Sequence, residues 1–447
     1  MAMIATLDLS KYREVVREMV PVRYQGQVTQ VVGLSIEVEG LDLRIGEICH
    51  IYSGEGAPRV SAEVMGFKNG RIILMPFADV QGIRPNAATL PGGRLFTVPV
   101  GPELLGRVID GLGRPIDDKG ALGCTKQYPL TNAPPHPLNR AQLTSPLETG
   151  VKAIDAVLTC GKGQRVGIFS GSGVGKSTLL GMIACHAASD VNVIALIGER
   201  GREVREFIEH NLGPKGLSRS VIVVSTSDQP ALLRIKGAWV ATTIAEYFRD
   251  CGMDVVFMMD SVTRFAMAQR EIGLAVGEPP ATKGYTPSVF ALLPKLMERT
   301  GTSDKGTITG FYTVLVEADD MNEPISDTVR SILDGHINLS RELASENHYP
   351  SIDILNSVSR VMSRVVDGEH LQAAGRLREL VSAYRNARDL INIGAYVSGS
   401  NHDIDEALLL MPVINNILCQ SPDDAAPFSD TAGHLKALFA GKETAHA

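Results

Sequence analysis

No two of the six cysteines (Cys49, Cys124, Cys160, Cys185, Cys251 and Cys419) stand as Cys-x-x-Cys, and no cysteine–histidine set has metal-ligand spacing. A reduced, cytosolic chain is therefore expected. The start shows no basic stretch followed by an apolar core and a cleavage site, so no secretory leader is expected. No apolar run approaches the ~20 residues that span a bilayer, so any work at a membrane is that of a peripheral partner. An excess of positive charge is also missing: 43 Lys and Arg face 50 Asp and Glu, for a net charge of -7. Bulk nucleic-acid binding, which leaves a basic footprint, is disfavoured. There is no internal repeat and no low-complexity tract. At 44% apolar and 21% charged residues the composition is globular rather than disordered. A length of 447 residues implies two or three domains of about 150 residues each.

What is present changes character along the chain. Over residues 1–20, Leu9, Tyr12, Val16 and Met19 fall near helical spacing among Lys11, Arg13 and Arg17. Such a helix either packs on its own domain or serves as a docking or membrane-surface element. Residues 21–95 hold short β-rich runs (27–32, 35–38, 47–52 and 71–75) between glycine-containing turns, the pattern of a small β-barrel. Residues 106–140 are rich in Gly, Pro and Asn and read as a linker ordered against its neighbours. From about Pro146, apolar runs rich in β-branched residues (165–170, 191–198, 221–227, 254–260, 308–316) alternate with helical stretches such as 176–188 and 230–249. Runs of this kind suit a parallel sheet buried on both faces. Beyond Arg360 the chain is mostly helical, over 361–388 and 404–420.

Ser170 ends a strand, and Lys176 opens a helix within the run Gly171-Ser172-Gly173-Val174-Gly175-Lys176-Ser177-Thr178. Glycines let the backbone turn its N–H groups inward to cradle phosphate oxygens. Lys176 reaches the β- and γ-phosphates, and the Ser177 hydroxyl is placed to ligate Mg²⁺. The strict phosphate-loop pattern has glycine where this chain has Ser170, but the Gly-Lys-Ser-Thr end is intact. ATP with magnesium is the expected ligand. The run Asp254-Val255-Val256-Phe257-Met258-Met259-Asp260 is an apolar strand ending in an acid, the form of the second magnesium-binding element of such NTPases. Glu199 follows another strand and is the candidate for activating water. From the residues alone it is equally a surface carboxylate in the charge-rich loop 199–206.

Several stretches carry a resemblance over nearly the whole chain. They are Gly198-Glu199-Arg200-Gly201-Arg202-Glu203-Val204, Asp260-Ser261-Val262-Thr263-Arg264-Phe265, Gly277-Glu278-Pro279-Pro280-Ala281-Thr282-Lys283-Gly284-Tyr285, Asp319-Asp320-Met321-Asn322-Glu323-Pro324-Ile325, and Pro350-Ser351-Ile352-Asp353 leading to Ser357-Val358-Ser359-Arg360. The chain resembles the ATPases of flagellar protein export and of injectisome type III secretion, relatives of the catalytic subunits of rotary ATP synthases. The resemblance implies an α/β fold: a P-loop NTPase core with a RecA-like parallel sheet, an N-terminal β-barrel and a C-terminal helical domain. The expected divisions are 1–20, 21–95, 96–360 and 361–447.

The same resemblance implies roles. Glu199 is the catalytic glutamate. Arg360 is an arginine finger reaching a neighbour's site, worth about 10³–10⁵ in rate in other NTPases. Tyr349 packs on adenine, although a half-buried core tyrosine uses the same residue type. Arg200 contacts phosphate or positions its loop. A finger donated in trans implies a homohexameric ring. Regulatory and stalk proteins, export chaperones and their cargo, and a membrane export gate are implied partners. Two rivals remain. A non-catalytic nucleotide-binding ring subunit lacks the catalytic carboxylate, whereas Glu199 and Arg360 stand here on one chain. A nucleic-acid translocase interleaves aromatic and basic residues on its barrel; residues 21–95 hold only Tyr24, Tyr52, Phe67 and Phe77 as aromatics, so no nucleic-acid partner is expected. The core motifs do not separate the flagellar system from the injectisome.

Overall fold

The computed structural model describes residues 24–54, 59–316 and 320–440; the helix expected over 1–20 lies outside them. The chain divides into two compact units, with the break between Phe96 and Thr97.

In the first unit six antiparallel strands close into a barrel. They are β1 (Gly26–Val32), β2 (Ser35–Glu39), β3 (Glu47–Tyr52), β4 (Val60–Lys68), β5 (Arg71–Pro76) and β6 (Ala88–Leu95), in the order β1-β2-β5-β4-β3-β6 with β6 pairing back to β1. Period-two alternation sets the inside: Ile36 and Val38 of β2 are buried, and with Val28, Cys49, Ile51 and Leu74 they fill the barrel. Strands β4 and β6 escape the sequence pattern. The first shifts register between Val64 and Gly66, and the second carries Pro91-Gly92-Gly93, so neither alternates cleanly.

The second unit is built on a sheet in the order β14-β13-β8-β12-β11-β9-β10-β7. Its strands are β7 (Val108–Asp110), β8 (Arg165–Ser170), β9 (Val191–Ile197), β10 (Ser220–Ser225), β11 (Asp254–Asp260), β12 (Thr307–Leu315), β13 (Gly335–Asn338) and β14 (Val358–Ser359). All neighbours pair parallel except β13 and β14. Strands β9 and β10 are buried at every position, as continuous apolar runs covered on both faces must be. The expected linker supplies β7, three residues at the sheet edge.

Flanking helices are α1 (Lys152–Val157), α2 (Lys176–His186), α3 (Gly201–Glu206), α4 (Ala231–Asp250), α5 (Val262–Val276) and α6 (Pro287–Met297). The C-terminal region supplies α7 (Gly368–Asn392), α8 (His402–Leu418) and α9 (Phe428–Phe439). Helix α7 starts later than the pattern predicts, because Asp367 accepts from the His370 N–H at 2.9 Å and caps it there. The C-terminal helices share one apolar core with the sheet: Leu377, Leu380, Ile414 and Leu435 belong to the same cluster as Ile168, Leu196 and Met258.

A fully buried ion pair ties this unit together. Arg299, 2% exposed, donates to both oxygens of Glu246, 0% exposed, at 2.7 and 2.5 Å. Its remaining donors reach the Leu130 carbonyl at 2.8 Å and Thr243 Oγ1 at 3.0 Å, with the guanidinium 5.4 Å from the Trp239 ring centre. Replacing Arg299 with Met strands a buried carboxylate and is expected to cost about 3–5 kcal/mol. The urea midpoint measures it, and adding Glu246→Leu is expected to recover much of the loss.

Candidate active site

Sheet register brings the acids together. Strands β9 and β11 pair with Leu196 opposite Asp260, so Glu199, just past β9, arrives beside Asp260 at the carboxyl edge of the sheet. In open parallel sheets ligands bind at this edge. Gly198, between β9 and Glu199, has φ of 71° and no room for a side chain, since a Cβ there would lie 2.6 Å from Cβ of Arg264.

The phosphate loop leaves β8 two strands away. Gly173 and Gly175 adopt φ of 78° and 91°, the left-handed region that glycine enters without strain. Helix α2 then starts at Lys176, with its amide end facing the loop. Ser172 and Gly173 are exposed, whereas the Val174 side chain is buried in the core. The Val174 carbonyl accepts from Ser351 Oγ at 2.6 Å, which pins the loop from below. Thr178 is half-buried in the first turn of α2.

Lys176 spans the gap. Its Nζ donates to Asp260 Oδ1 at 2.5 Å and lies 3.6 Å from Glu199 Oε1. Burial works against its charge, but the two carboxylates outweigh burial and hold the ammonium above its ordinary value. Asp260 Oδ1 also accepts from Thr313 Oγ1 of β12 at 2.8 Å. Burial, and then the charge of Asp260, push the Glu199 carboxyl up to about 8, against the pull of Lys176. A hydrogen bond with Glu199 is the main cause of the lowered Glu203 pKa. Glu199 Oε1 is a buried acceptor with no hydrogen-bond donor. Ser177, Glu199, Glu203 and Asp260 line one small crevice with Leu196 and Phe207.

The remaining predicted residues lie further out. Arg200 is exposed and pairs with Glu203 at 3.3 Å. Tyr349 is 40% exposed, and its ring lies 3.6 Å from where a Cβ on Gly175 would stand. Arg360 follows β14 at the sheet edge and is exposed. Its backbone N–H donates to the Asp334 carbonyl at 3.0 Å. Among the described residues its guanidinium has no hydrogen-bond or ion-pair partner, so its own chain does not carry it to Lys176. Three supports were missed in the sequence. Thr313 and Ser351 are revealed only by sheet order and by the fold of the 350–353 segment. Glu203 was visible as a charge four residues after Glu199 on a short helix, without a signal that the two side chains bond.

The chain is 54% identical over 419 residues to the flagellum-specific ATP synthase of Bacillus subtilis, covering 94% of this chain and 96% of that one. It belongs to the family of flagellum-specific ATP synthases and type 3 secretion system ATPases. Residues 150–359 match the nucleotide-binding domain of the ATP synthase alpha/beta family, and residues 28–89 its beta-barrel domain. Residues 366–437 match the T3SS EscN ATPase C-terminal domain. The type 3 secretion system ATPase of Xanthomonas euvesicatoria is 49% identical, with 95% of this chain and 96% of that one covered. Among solved structures, the assembled ATPase EscN of enteropathogenic E. coli superposes with a TM-score of 0.88 at 48% identity, covering 93% of this chain and 100% of EscN. The same ATPase has been solved in complex with its central stalk EscO, and that structure superposes at 0.86. The family fold, with barrel, nucleotide-binding sheet and C-terminal helices, is the one observed here.

Proposed function

We propose that the chain is a magnesium-dependent ATPase that works as a homohexameric ring and energises export of flagellar proteins through a type III secretion apparatus. The observation that carries this reading is the cluster of Lys176, Asp260 and Glu199 at the N-terminus of α2, with Glu199 Oε1 buried and lacking a donor. The donor set suits a magnesium–triphosphate ligand: glycine-rich backbone amides, one ammonium, the exposed Ser177 hydroxyl and the Asp260 carboxylate.

In this reading the N–H groups of residues 171–178 hold the phosphates, and Lys176 exchanges its carboxylate partners for phosphate oxygens. Ser177 and Asp260 are the groups that would hold magnesium, whose charge offsets that of the phosphate oxygens. Glu199 orients water and accepts its proton, for which an oxygen without a hydrogen-bond donor is suited. Arg360 of one subunit stabilises transition-state charge in the next. Tyr349 stacks on the base, and Arg200 contacts phosphate or holds the 199–206 loop. The barrel is assigned to residues 21–95, the ATPase domain to 96–360 and the helical domain to 361–447.

Among the described residues no helix is long and apolar enough to cross a membrane, consistent with a cytoplasmic ring peripheral to an export gate. A stalk protein, chaperones and their cargo are the proposed partners. The flagellar assignment leans on the 54% identity to the Bacillus protein. An injectisome role is the alternative, since a flagellar relative from Treponema pallidum and the Xanthomonas type 3 ATPase are both 49% identical. Restored motility in a strain lacking its flagellar export ATPase separates the two. The shared-site ring predicts that Mg·ATP turnover per chain rises with protein concentration as subunits assemble. A rate per chain that stays constant down to the monomer would overturn it.

A further inference from the structure

Two side chains stitch the segment after α8 onto the nucleotide-binding region: His186 of α2 meets the Pro422 carbonyl at 3.2 Å, and Gln420 makes the fuller set of bonds. Gln420 is 7% exposed, and each end of its amide is used. Its Oε1 accepts from the Lys152 N–H at 2.8 Å, and its Nε2 donates to the Gly150 carbonyl at 2.8 Å and to the Asp424 carbonyl at 2.6 Å. Its backbone N–H donates to the Tyr349 carbonyl at 2.9 Å.

Each attachment is itself rigid. Buried Asp155 accepts from the Thr149 and Gly150 N–H groups, both at 3.0 Å, and so sets the turn that faces Gln420. Gly150 has φ of 72°, and a Cβ there would lie 2.3 Å from Cβ of His186 on α2, so this turn and the phosphate-loop helix are in direct contact. On the other side, two residues past Tyr349, Ser351 holds the Val174 carbonyl. Gln420 thus lies on a continuous path joining the Tyr349 backbone, the phosphate loop and the end of α8.

We infer that Gln420 is a positioning residue for the nucleotide base: it fixes the Tyr349 backbone, and with it the ring beside Gly175, against the 150–152 turn. The inference rests on the reading of Tyr349 as the base-stacking residue. A buried amide satisfied at each end has few alternative arrangements, so losing it loosens the Tyr349 segment from the 150–152 turn, while His186 still meets the Pro422 carbonyl. The triphosphate end, held by α2 and Lys176, keeps its contacts.

The test compares Gln420→Ala, Tyr349→Ala and the double variant in steady-state Mg·ATP hydrolysis, with inorganic tripolyphosphate as a competitive probe lacking a base. Gln420→Ala is expected to raise the KM for ATP about five- to tenfold with little change in kcat, the signature of lost uniform binding. The tripolyphosphate inhibition constant is expected to stay put. In the Tyr349→Ala background, Gln420→Ala is expected to add little, because both act on one contact. Gln420→Glu keeps the side chain's size but loses both amide donations, and it gives the same reading if the alanine variant does not fold. A lowered melting temperature with unchanged KM overturns the inference, as does an equal loss for ATP and tripolyphosphate. If Tyr349→Ala itself leaves KM unchanged, the stacking assignment falls. If Tyr349→Ala raises KM and Gln420→Ala does not, only the positioning role falls.

Discussion

Arg360→Ala is expected to lower Mg·ATP turnover by about 10³–10⁵-fold while nucleotide affinity changes little, because an arginine finger acts on charge that develops in the transition state. The geometry supports this from one chain. Arg360 closes the edge strand β14, is exposed, and among the described residues has no hydrogen-bond or ion-pair partner for its guanidinium. Two strands, β13 and β14, separate its side of the sheet from the β8 loop. A finger with no target in its own chain needs a neighbour, and mixing tests that need directly. Arg360→Ala chains carry an intact Glu199, and Glu199→Gln chains carry an intact Arg360. In randomly mixed rings about a quarter of the interfaces hold both intact groups, so activity is expected to return when two nearly dead proteins are combined. Mixtures as inactive as their components would place the finger in cis or remove it from the chemistry.

Glu199→Gln is expected to reduce kcat by about 10²–10⁴, the range for removing a positioned general base, with ATP binding retained. The parent's pH profile supplies an independent check. Glu199 is raised to about 8 in the nucleotide-free chain, so it is mostly protonated below that pH and mostly ionised above it. The base form is the active one. The profile of kcat/KM, which reports the free enzyme, is therefore expected to climb through about pH 8. The Gln variant should lose that limb. Glu203→Gln removes the hydrogen-bonded partner that competes for the same proton, and it should move the limb rather than abolish it. Full activity in Glu199→Gln would show that the catalytic carboxylate lies elsewhere.

Local signals were legible where residue type and backbone need coincide. The glycines at 173 and 175 occupy left-handed positions, Lys176 opens a helix, and Asp260 ends an apolar strand, each feature set by the few residues around it. The barrel's clean strands were readable for the same reason, since Ile36 and Val38 alternate with polar neighbours. Strands β4 and β6, broken by a bulge and by Pro91-Gly92-Gly93, were not. Nor was β14, two residues long, whose strand character comes entirely from pairing with β13.

The sequence by itself determined the regularly patterned elements, the phosphate-loop chemistry and, through its motifs, the family. Only the tertiary structure decided which groups meet. Asp260 and Glu199 are 61 positions apart in the chain, and they become neighbours because β9 and β11 pair in one particular register. Sheet order brings Thr313 onto Asp260, the fold of the 350–353 segment sets Ser351 under the loop, and the return of the chain after α8 brings Gln420 to Tyr349. The physical reason is common to all of them. Glycine torsions and helix starts are set within a few residues, whereas the burial that raises Glu199 and the partners that hold Lys176 come from side chains far away in the chain.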